Sequence, residues 1–376
     1  MLKRPNKKGA LVNARLIEAR KDKGISAKLA AQEVGVSAQV LSLYELGKCD
    51  PSEDVFRKLI NLYDMPFEFY FKEIVESNIE GPVFYRKFSK ATKTERDRAQ
   101  TEANWFVHEI VDQLSERIKF PEVDKLFMKI KQSVDIEEGD FDPDLMAQII
   151  RREWNLLNKP IENLMIELEK RGVFIAKLNL HKDIDGFSFW EKGRPFIFVN
   201  RNNNYFRLRM SVAHELCHLF FHGAEDVEKD IKRIEEEAKA FAGAFLLPNP
   251  GFTEDIKYIN LQNLLYLKPK WRVSLQGLLA RCKQLELIDE GRDISLNKQI
   301  SIKGWRKIEP FDKDIPPEKP ILLKQAIDML INKNVYTKSE MLSLFALNEN
   351  FVEDACSLEK NYFYEKPAVI VNLFPV

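Results

Sequence analysis

The chain has 376 residues, and its 58 basic residues balance its 58 acidic residues, so the formal net charge is zero. This balance excludes a global electrostatic attraction to nucleic acid or to other polyanions. The length predicts two or three domains, and a hydrophobic content of 45% is enough for packed cores. No apolar run reaches the roughly 18 residues of a membrane span, and no signal peptide is recognisable. We therefore expect a cytoplasmic protein that does not bind a membrane, in which the four scattered cysteines are reduced thiols.

Residues 1–75 are predicted to form five short helices. Ser26 is a candidate cap for the second helix, Gly35-Val36-Ser37 forms a tight turn, and the third helix ends at Gly47. The predicted helices lie at 16–20, at 27–34, at 38–46, from 50–52 onwards and at 65–69.

This pattern is similar to the helix-turn-helix domain of the Xre and lambda-repressor type, with residues 38–46 as the recognition helix. A generic helical bundle would explain the apolar positions but not this turn followed by Tyr44-Glu45. The resemblance implies binding to double-stranded DNA. The candidate DNA contacts are Ser37, Gln39, Ser42, Lys7 and Lys8.

The charge distribution leaves a second interpretation of this domain open. Residues 1–25 carry eight Lys or Arg residues, but residues 26–75 carry five basic and eight acidic residues. The resembled family usually has Gln after the Ser26 position and Arg within the recognition helix, and those places here hold Ala27, Ala38 and Leu43. The domain is therefore expected either to hold DNA through its basic arm or to serve as an assembly module, for example in a homodimer.

The middle of the chain predicts helices and then a small sheet. A long helix is expected at Thr92–Ile118, and Asp142-Pro143 and Lys159-Pro160 are expected to open two more. Strands are predicted at 173–178, 186–190 and 196–199, and the last two form a hairpin over 191–194. An exposed strand, either 186–190 or 196–199, could hold a substrate backbone by strand addition.

The most informative motif follows the hairpin and contains three of the five histidines. His214 and His218 are four residues apart on a predicted helix, so both side chains project from one face. Glu215 lies between them at the spacing of zinc peptidases, in which two imidazoles bind Zn²⁺ and the glutamate accepts a proton from the attacking water. His222 lies too far along the axis to share the ion, and we assign it to packing or to support of a ligand.

A catalytic zinc site needs a third protein ligand, and the helix at 234–248 supplies three adjacent candidates. Glu235 lies on the flank of the buried stripe of this helix, Glu236 is expected to be exposed, and Glu237 points to another side.

This constellation resembles the ImmA/IrrE-type metallopeptidases. The resemblance rests on H-E-x-x-H, on E-x-x-A-x-x-F-A with Leu-Leu-Pro, and on segments from Asp185 to Arg306. It implies that Glu235 is the third zinc ligand. Position 239, usually Asn or Asp in that family, is Lys239 here, which puts the support of the ligands in question.

The sequence therefore predicts a mostly α protein with a small β-sheet. It comprises a five-helix helix-turn-helix domain (1–75), a connector with a long helix (76–120), a compact zincin-like α+β domain (121–290) and a helical C-terminal region (291–376). The predicted function is a zinc-dependent endopeptidase that, by resemblance, cleaves a repressor-like regulatory protein in prophage, mobile-element or stress control. Two alternatives remain open: a non-proteolytic transcription regulator whose zincin domain senses a ligand or partner, and a toxin–antitoxin component.

Overall fold

The computed structural model describes residues 10–75, 77, 79–80, 91–133 and 141–364. Within these residues the protein is mostly helical with one small sheet, as the sequence predicts. The chain divides into two compact units. The first comprises residues 1–76, 97–119 and 323–376, and the second comprises residues 77–96 and 120–322. No helix in the described part of the chain is both long and apolar enough to cross a membrane. The domain limits at 75, 120 and 290 stay predictions.

The first unit begins with the predicted five-helix arrangement. Its α-helices are α1 (Asn13–Asp22), α2 (Ala27–Val34), α3 (Ala38–Glu45) and α4 (Glu53–Tyr63). The fifth element is a 3₁₀ helix at Phe67–Phe71 and not an α-helix. Ser26, Ser37 and Ser52 each accept a hydrogen bond from a backbone N–H three residues later, which explains why α2, α3 and α4 begin where they do. Gly35 ends α2 at φ +80°, a conformation that favours glycine.

The long helix predicted at 92–118 is present but is not uniform. It consists of α5 (Lys93–Trp105), a π-helical stretch (Phe106–Val111) and α6 (Asp112–Ser115). In the first unit this helix and the C-terminal helices α16 (Leu322–Asn332), α17 (Lys338–Phe345) and α18 (Glu349–Ala355) accompany α1–α4. Within the first unit, a buried ion pair connects α1 to the π-helical stretch: Arg15 donates to the Glu109 carboxylate at 2.5 Å.

The second unit is built around a four-stranded sheet in the order β1-β3-β4-β2. The strands are β1 (Ile79–Glu80), β2 (Phe174–Leu178), β3 (Gly186–Glu191) and β4 (Arg194–Asn200). The predicted hairpin is confirmed: β3 and β4 are antiparallel, and Lys192 and Gly193, at φ +51° and +71°, make the two-residue turn. β4 also pairs in parallel with β2, so the expectation that 196–199 could accept a substrate strand is wrong.

Helices cover the sheet and place the motif residues. The remaining helices of this unit are α7 (Lys125–Ser133), α8 (Pro143–Glu153), α9 (Leu164–Glu169), α10 (Tyr205–Phe221), α11 (Ala224–Leu246), α12 (Gly251–Asp255), α13 (Leu261–Trp271), α14 (Leu275–Gln284) and α15 (Glu290–Ile302). Asp142 caps α8 as predicted. α9 begins later than Pro160 suggested, because the Asn163 side chain caps it by accepting from the Ile166 N–H. α10 packs against β3 and β4 on one side and against α11 on another.

Candidate metal centre

Helix α10 carries the two motif histidines at and behind the wall of a cleft, which His214 lines. The Asn204 side chain caps its first turn, and Leu208, Val212 and Leu216 are fully buried in the core. The four-residue spacing brings His214 and His218 together, with their Nε2 atoms 3.1 Å apart. The side chain of His218 is 1% exposed, and that of His214 is 16% exposed. The pair therefore has one member inside the protein and one at the edge of the cleft.

The third member of the group comes from α11, which is kinked at Asp230. The Asp230 carboxylate accepts hydrogen bonds from the Lys232 and Arg233 N–H groups, so the chain after the kink begins like a newly capped helix. Glu235 lies in the first turns after this cap. One of its carboxylate oxygens is 3.6 Å from His214 Nε2, and the other is 3.6 Å from His218 Nε2.

These three side chains have the spacing that a tetrahedral metal requires. Among the described residues, His214, His218 and Glu235 form the group whose candidate ligand atoms all lie within 4.8 Å of one another. Two ligand atoms at about 2.0–2.1 Å from a tetrahedral Zn²⁺ are about 3.3 Å apart, close to the distances found here. Two imidazoles and one carboxylate with a remaining open position are also the donor set of catalytic zinc. The residues present fit a zinc ion.

The surroundings favour the protonation states that a metal ligand needs. Burial lowers the pKa of His218 to about 3, so its imidazole is neutral at pH 7. Burial opposes ionisation of Glu235, but the neighbouring His214 and His218 side chains outweigh it and hold the pKa of this carboxyl well below its usual range. Neutral imidazoles and an ionised carboxylate are the forms that bind a divalent cation.

Glu215 lies beside this group, with its backbone on the sheet side of α10. Its carboxylate Oε2 accepts a 2.9 Å hydrogen bond from the hydroxyl of Ser188, a fully buried residue of β3. Glu215, His214 and Glu235 together line a cleft of about 150 Å³. A carboxylate held at the wall of a cleft, next to three potential metal ligands, is in position to exchange a proton with a water in that cleft.

Two basic side chains lie at the same cleft. Arg207 is held by Asp185, to which its Nε donates at 2.9 Å, and both residues line the cleft. Lys239 is exposed and also lines the cleft. The basic residue at position 239 therefore faces the space available to a substrate. The cleft is lined by Asp185, Gly186, Arg207, Met210, Ser211, His214, Glu215, Glu235, Lys239 and Ala242.

His222 lies behind the group rather than in it. Its Nδ1 is 2.8 Å from His218 Nδ1, and its Nε2 is 3.1 Å from a carboxylate oxygen of Glu237. Arg233 donates to the other Glu237 oxygen at 2.7 Å. Sequence reasoning placed His222 near a ligand, but it missed the roles of Glu237 and Ser188. The run Glu235-Glu236-Glu237 gave no signal that its third carboxylate would face a histidine.

The predicted DNA contacts lie at the surface of the first unit where the structure describes them. Gln39 and Ser42 are exposed on α3, and Ser37 is exposed while its hydroxyl caps the helix. Lys7 and Lys8 lie outside the described residues. The same surface is partly apolar, because Leu43 is 42% exposed and Leu46 is 64% exposed.

Comparison with protein families assigns both parts of this architecture. Residues 168–283 match the peptidase family M78, described as the IrrE N-terminal-like domain, and residues 16–70 match the helix-turn-helix family. The chain thus contains a segment similar to metallopeptidases of this family and a segment similar to DNA-binding helix-turn-helix domains. More particularly, it matches an ImmA/IrrE-type protein whose N-terminal domain is Xre-like, as the sequence motifs predicted. No curated protein matches the chain.

Proposed function

We propose that this protein is a cytoplasmic, zinc-dependent endopeptidase that cleaves a regulatory protein. The observation that carries the proposal is the convergence of His214, His218 and Glu235 within reach of one ion, in a cleft that Glu215 also lines. In the proposed site these three residues hold the metal and Glu215 is the general base.

Bound zinc would supply Lewis-acid chemistry, polarising the scissile carbonyl and making water a nucleophile near neutral pH. Glu215 would take a proton from the attacking water on its carboxylate while the new C–O bond forms. It would then give that proton to the departing amine as the C–N bond breaks. Ser188 would hold the Glu215 carboxylate in place through its 2.9 Å hydrogen bond.

The partner that fits this architecture is a repressor-like protein, because the helix-turn-helix domain offers a surface apart from the cleft for recognising one. A cleft of about 150 Å³ is small beside the roughly 300–1,000 Å³ of typical ligand sites, so it contacts only a short stretch of a substrate. Contacts remote from the scissile bond must therefore supply the specificity. Control of prophages, mobile elements or stress responses is the role that the family resemblance suggests.

The test of this proposal is capture of the substrate on an inactive enzyme. Glu215→Gln keeps the shape of the side chain but removes the base, so the variant should bind metal and retain an uncleaved partner. Adding wild-type protein to that partner should cut it at one or a few positions. A partner that remains intact with the zinc-loaded wild-type protein would support the alternative, a regulator that does not cleave.

Double-stranded DNA is a second proposed partner, supported by the exposed Gln39 and Ser42 on α3 and by the match to the helix-turn-helix family. We further propose that this domain can pair with its own kind, giving a homodimer on a two-part site.

A further inference from the structure

Behind the candidate metal ligands, a chain of polar contacts runs from His218 through His222 to the carboxylate of Glu237. His218 directs Nε2 toward His214 and Glu235, and directs Nδ1 toward His222. The Nε2 of His222 lies 3.1 Å from a carboxylate oxygen of Glu237. Arg233, one turn before Glu237 on α11, holds the far oxygen of that carboxylate at 2.7 Å.

The Glu237 carboxylate determines which ring nitrogen of His222, and in turn of His218, carries the hydrogen. An ionised carboxylate can only accept, so the Nε2 of His222 must carry the hydrogen in their 3.1 Å contact. In a neutral imidazole the other nitrogen is then an acceptor, and His222 Nδ1 must receive a hydrogen from His218 Nδ1 across 2.8 Å. The Nε2 lone pair of His218 is consequently left on the side of His214 and Glu235.

Burial keeps water from replacing this arrangement. The side chain of His222 is 3% exposed and that of Glu237 is 15% exposed. The ring of Phe141 lies 6.1 Å from the ring of His222, between centroids. A side chain that only filled space here would not need both of its ring nitrogens to meet polar partners.

We propose that Glu237, acting through His222, fixes the tautomer and the orientation in which His218 binds the metal. Both are positioning residues and neither is a ligand. The inference rests on the proposed zinc site and adds to it a support that the E-x-x-A motif does not contain. It also gives the adjacent glutamates distinct roles: Glu235 as a ligand, Glu236 at the surface and Glu237 as the anchor of His222.

The first experiment measures zinc affinity by competition with a chelator. Glu237→Ala and His222→Ala should each weaken zinc binding by about 10- to 100-fold, the usual effect of losing a residue that orients a ligand. Glu237→Gln should retain most of the affinity, because its amide oxygen still accepts from His222. Glu236→Ala is the matched control and should bind zinc like the wild type.

The melting temperature of each metal-free variant separates positioning from packing. A positioning role predicts that the rise in melting temperature on adding zinc shrinks for Glu237→Ala and not for Glu236→Ala. A lower melting temperature of the metal-free protein with unchanged zinc affinity would overturn the inference.

The second experiment does not depend on zinc uptake. Nitrogen-15 NMR of histidine-labelled, metal-free protein reports which ring nitrogen carries the hydrogen. His218 should be protonated on Nδ1 in the wild type and in Glu236→Ala, and should become a mixture of tautomers in Glu237→Ala. If the wild type binds no zinc, the proposed function fails while this measurement still decides the inference. An unchanged His218 tautomer in Glu237→Ala would overturn it.

Discussion

Ser188 of β3 donates a 2.9 Å hydrogen bond to the carboxylate of Glu215 on α10, and so connects the sheet to the proposed general base. The same hydroxyl lies 3.3 Å from the backbone carbonyl oxygen of Glu215. Ser188 is itself fully buried. The position of the proposed base therefore depends on a residue 27 positions earlier in the chain.

Ser188→Ala should lower kcat/KM by about tenfold and leave zinc content unchanged. A hydrogen bond to a charged group contributes about 1.5–3 kcal/mol, and about 1.4 kcal/mol is a factor of ten in rate. The measurement is cleavage of the captured partner by purified, zinc-loaded enzyme. Ser211→Ala is the matched control, since Ser211 lines the cleft but its hydroxyl donates to the Arg207 carbonyl oxygen. Equal rates for wild type and Ser188→Ala would show that Glu215 needs no such support.

The zinc content of the protein should depend on each of the three proposed ligands, His214, His218 and Glu235. Purified wild type should carry about one zinc per chain. His214→Ala, His218→Ala and Glu235→Ala should lose it, whereas Glu215→Gln should keep it. Elemental analysis of the purified proteins makes the measurement. If Glu235→Ala keeps its full zinc content and Glu236→Ala loses it, the third ligand is Glu236 and not Glu235.

The buried carboxyl of Glu102 in the first unit predicts an alkaline loss of stability. Burial raises the pKa of Glu102 to about 8; Arg98, which donates to it at 2.8 Å, opposes this shift, and the nearby Asp22 carboxylate adds to it. Because the folded-state pKa lies above the unfolded value, the neutral carboxyl stabilises the fold fully at low pH. That stability is lost as the pH rises from the unfolded pKa through about 8.

Glu102→Gln should therefore melt at a higher temperature than the wild type at pH 8.5 and at a similar temperature at pH 5. The glutamine amide resembles the protonated carboxyl: its oxygen still accepts from Arg98, and its nitrogen can donate to Asp22. Thermal melts of both proteins at the two pH values make the comparison. A difference of the same size at both pH values would exclude titration of Glu102 as its cause.

Binding to DNA should be specific and salt-sensitive. Gln39→Ala removes an exposed amide of α3 and should weaken binding to the preferred site more than to other sequences. Replacing Lys7 and Lys8 by Gln should weaken binding to all sequences and reduce its salt dependence. Lys333→Gln, at an exposed position directly after α16, is the control for a lost charge. A selection from genomic fragments at low salt that recovers no preferred site would favour the assembly role.

The parts of this protein that could be predicted from its sequence are those fixed by local chemistry. Serine caps, the Lys192-Gly193 turn and the four-residue spacing of His214 and His218 determine structure within a few residues, and the structure agrees with them. The roles of Ser188 and Glu237 depend on how β3 and α11 pack against α10. Glu237 is at a variable position of the E-x-x-A motif and Ser188 at no fixed position of a motif, so their partners become visible only in the folded chain.

Recognition of a partner protein is expected to depend on the exposed surface of α3. Deleting residues 1–75 would be a poor test, because it would strip Arg15 from buried Glu109 and Phe69 from buried Trp105 within one unit. A single surface substitution avoids this problem. Leu43 is 42% exposed on α3, where an apolar side chain gains nothing from water and can bury against a partner protein.

Leu43→Asp should leave the melting temperature and zinc content unchanged. It should lower kcat/KM for the native partner by at least about tenfold, which is about 1.4 kcal/mol of lost transition-state binding. Cleavage of an unfolded protein by the same variant should not change, since that reaction needs only the cleft. Leu287→Asp is the matched control, because Leu287 is 40% exposed and lies in the second unit. If Leu43→Asp cuts the native partner as fast as wild type while Leu287→Asp does not, the recognition surface lies in the second unit instead.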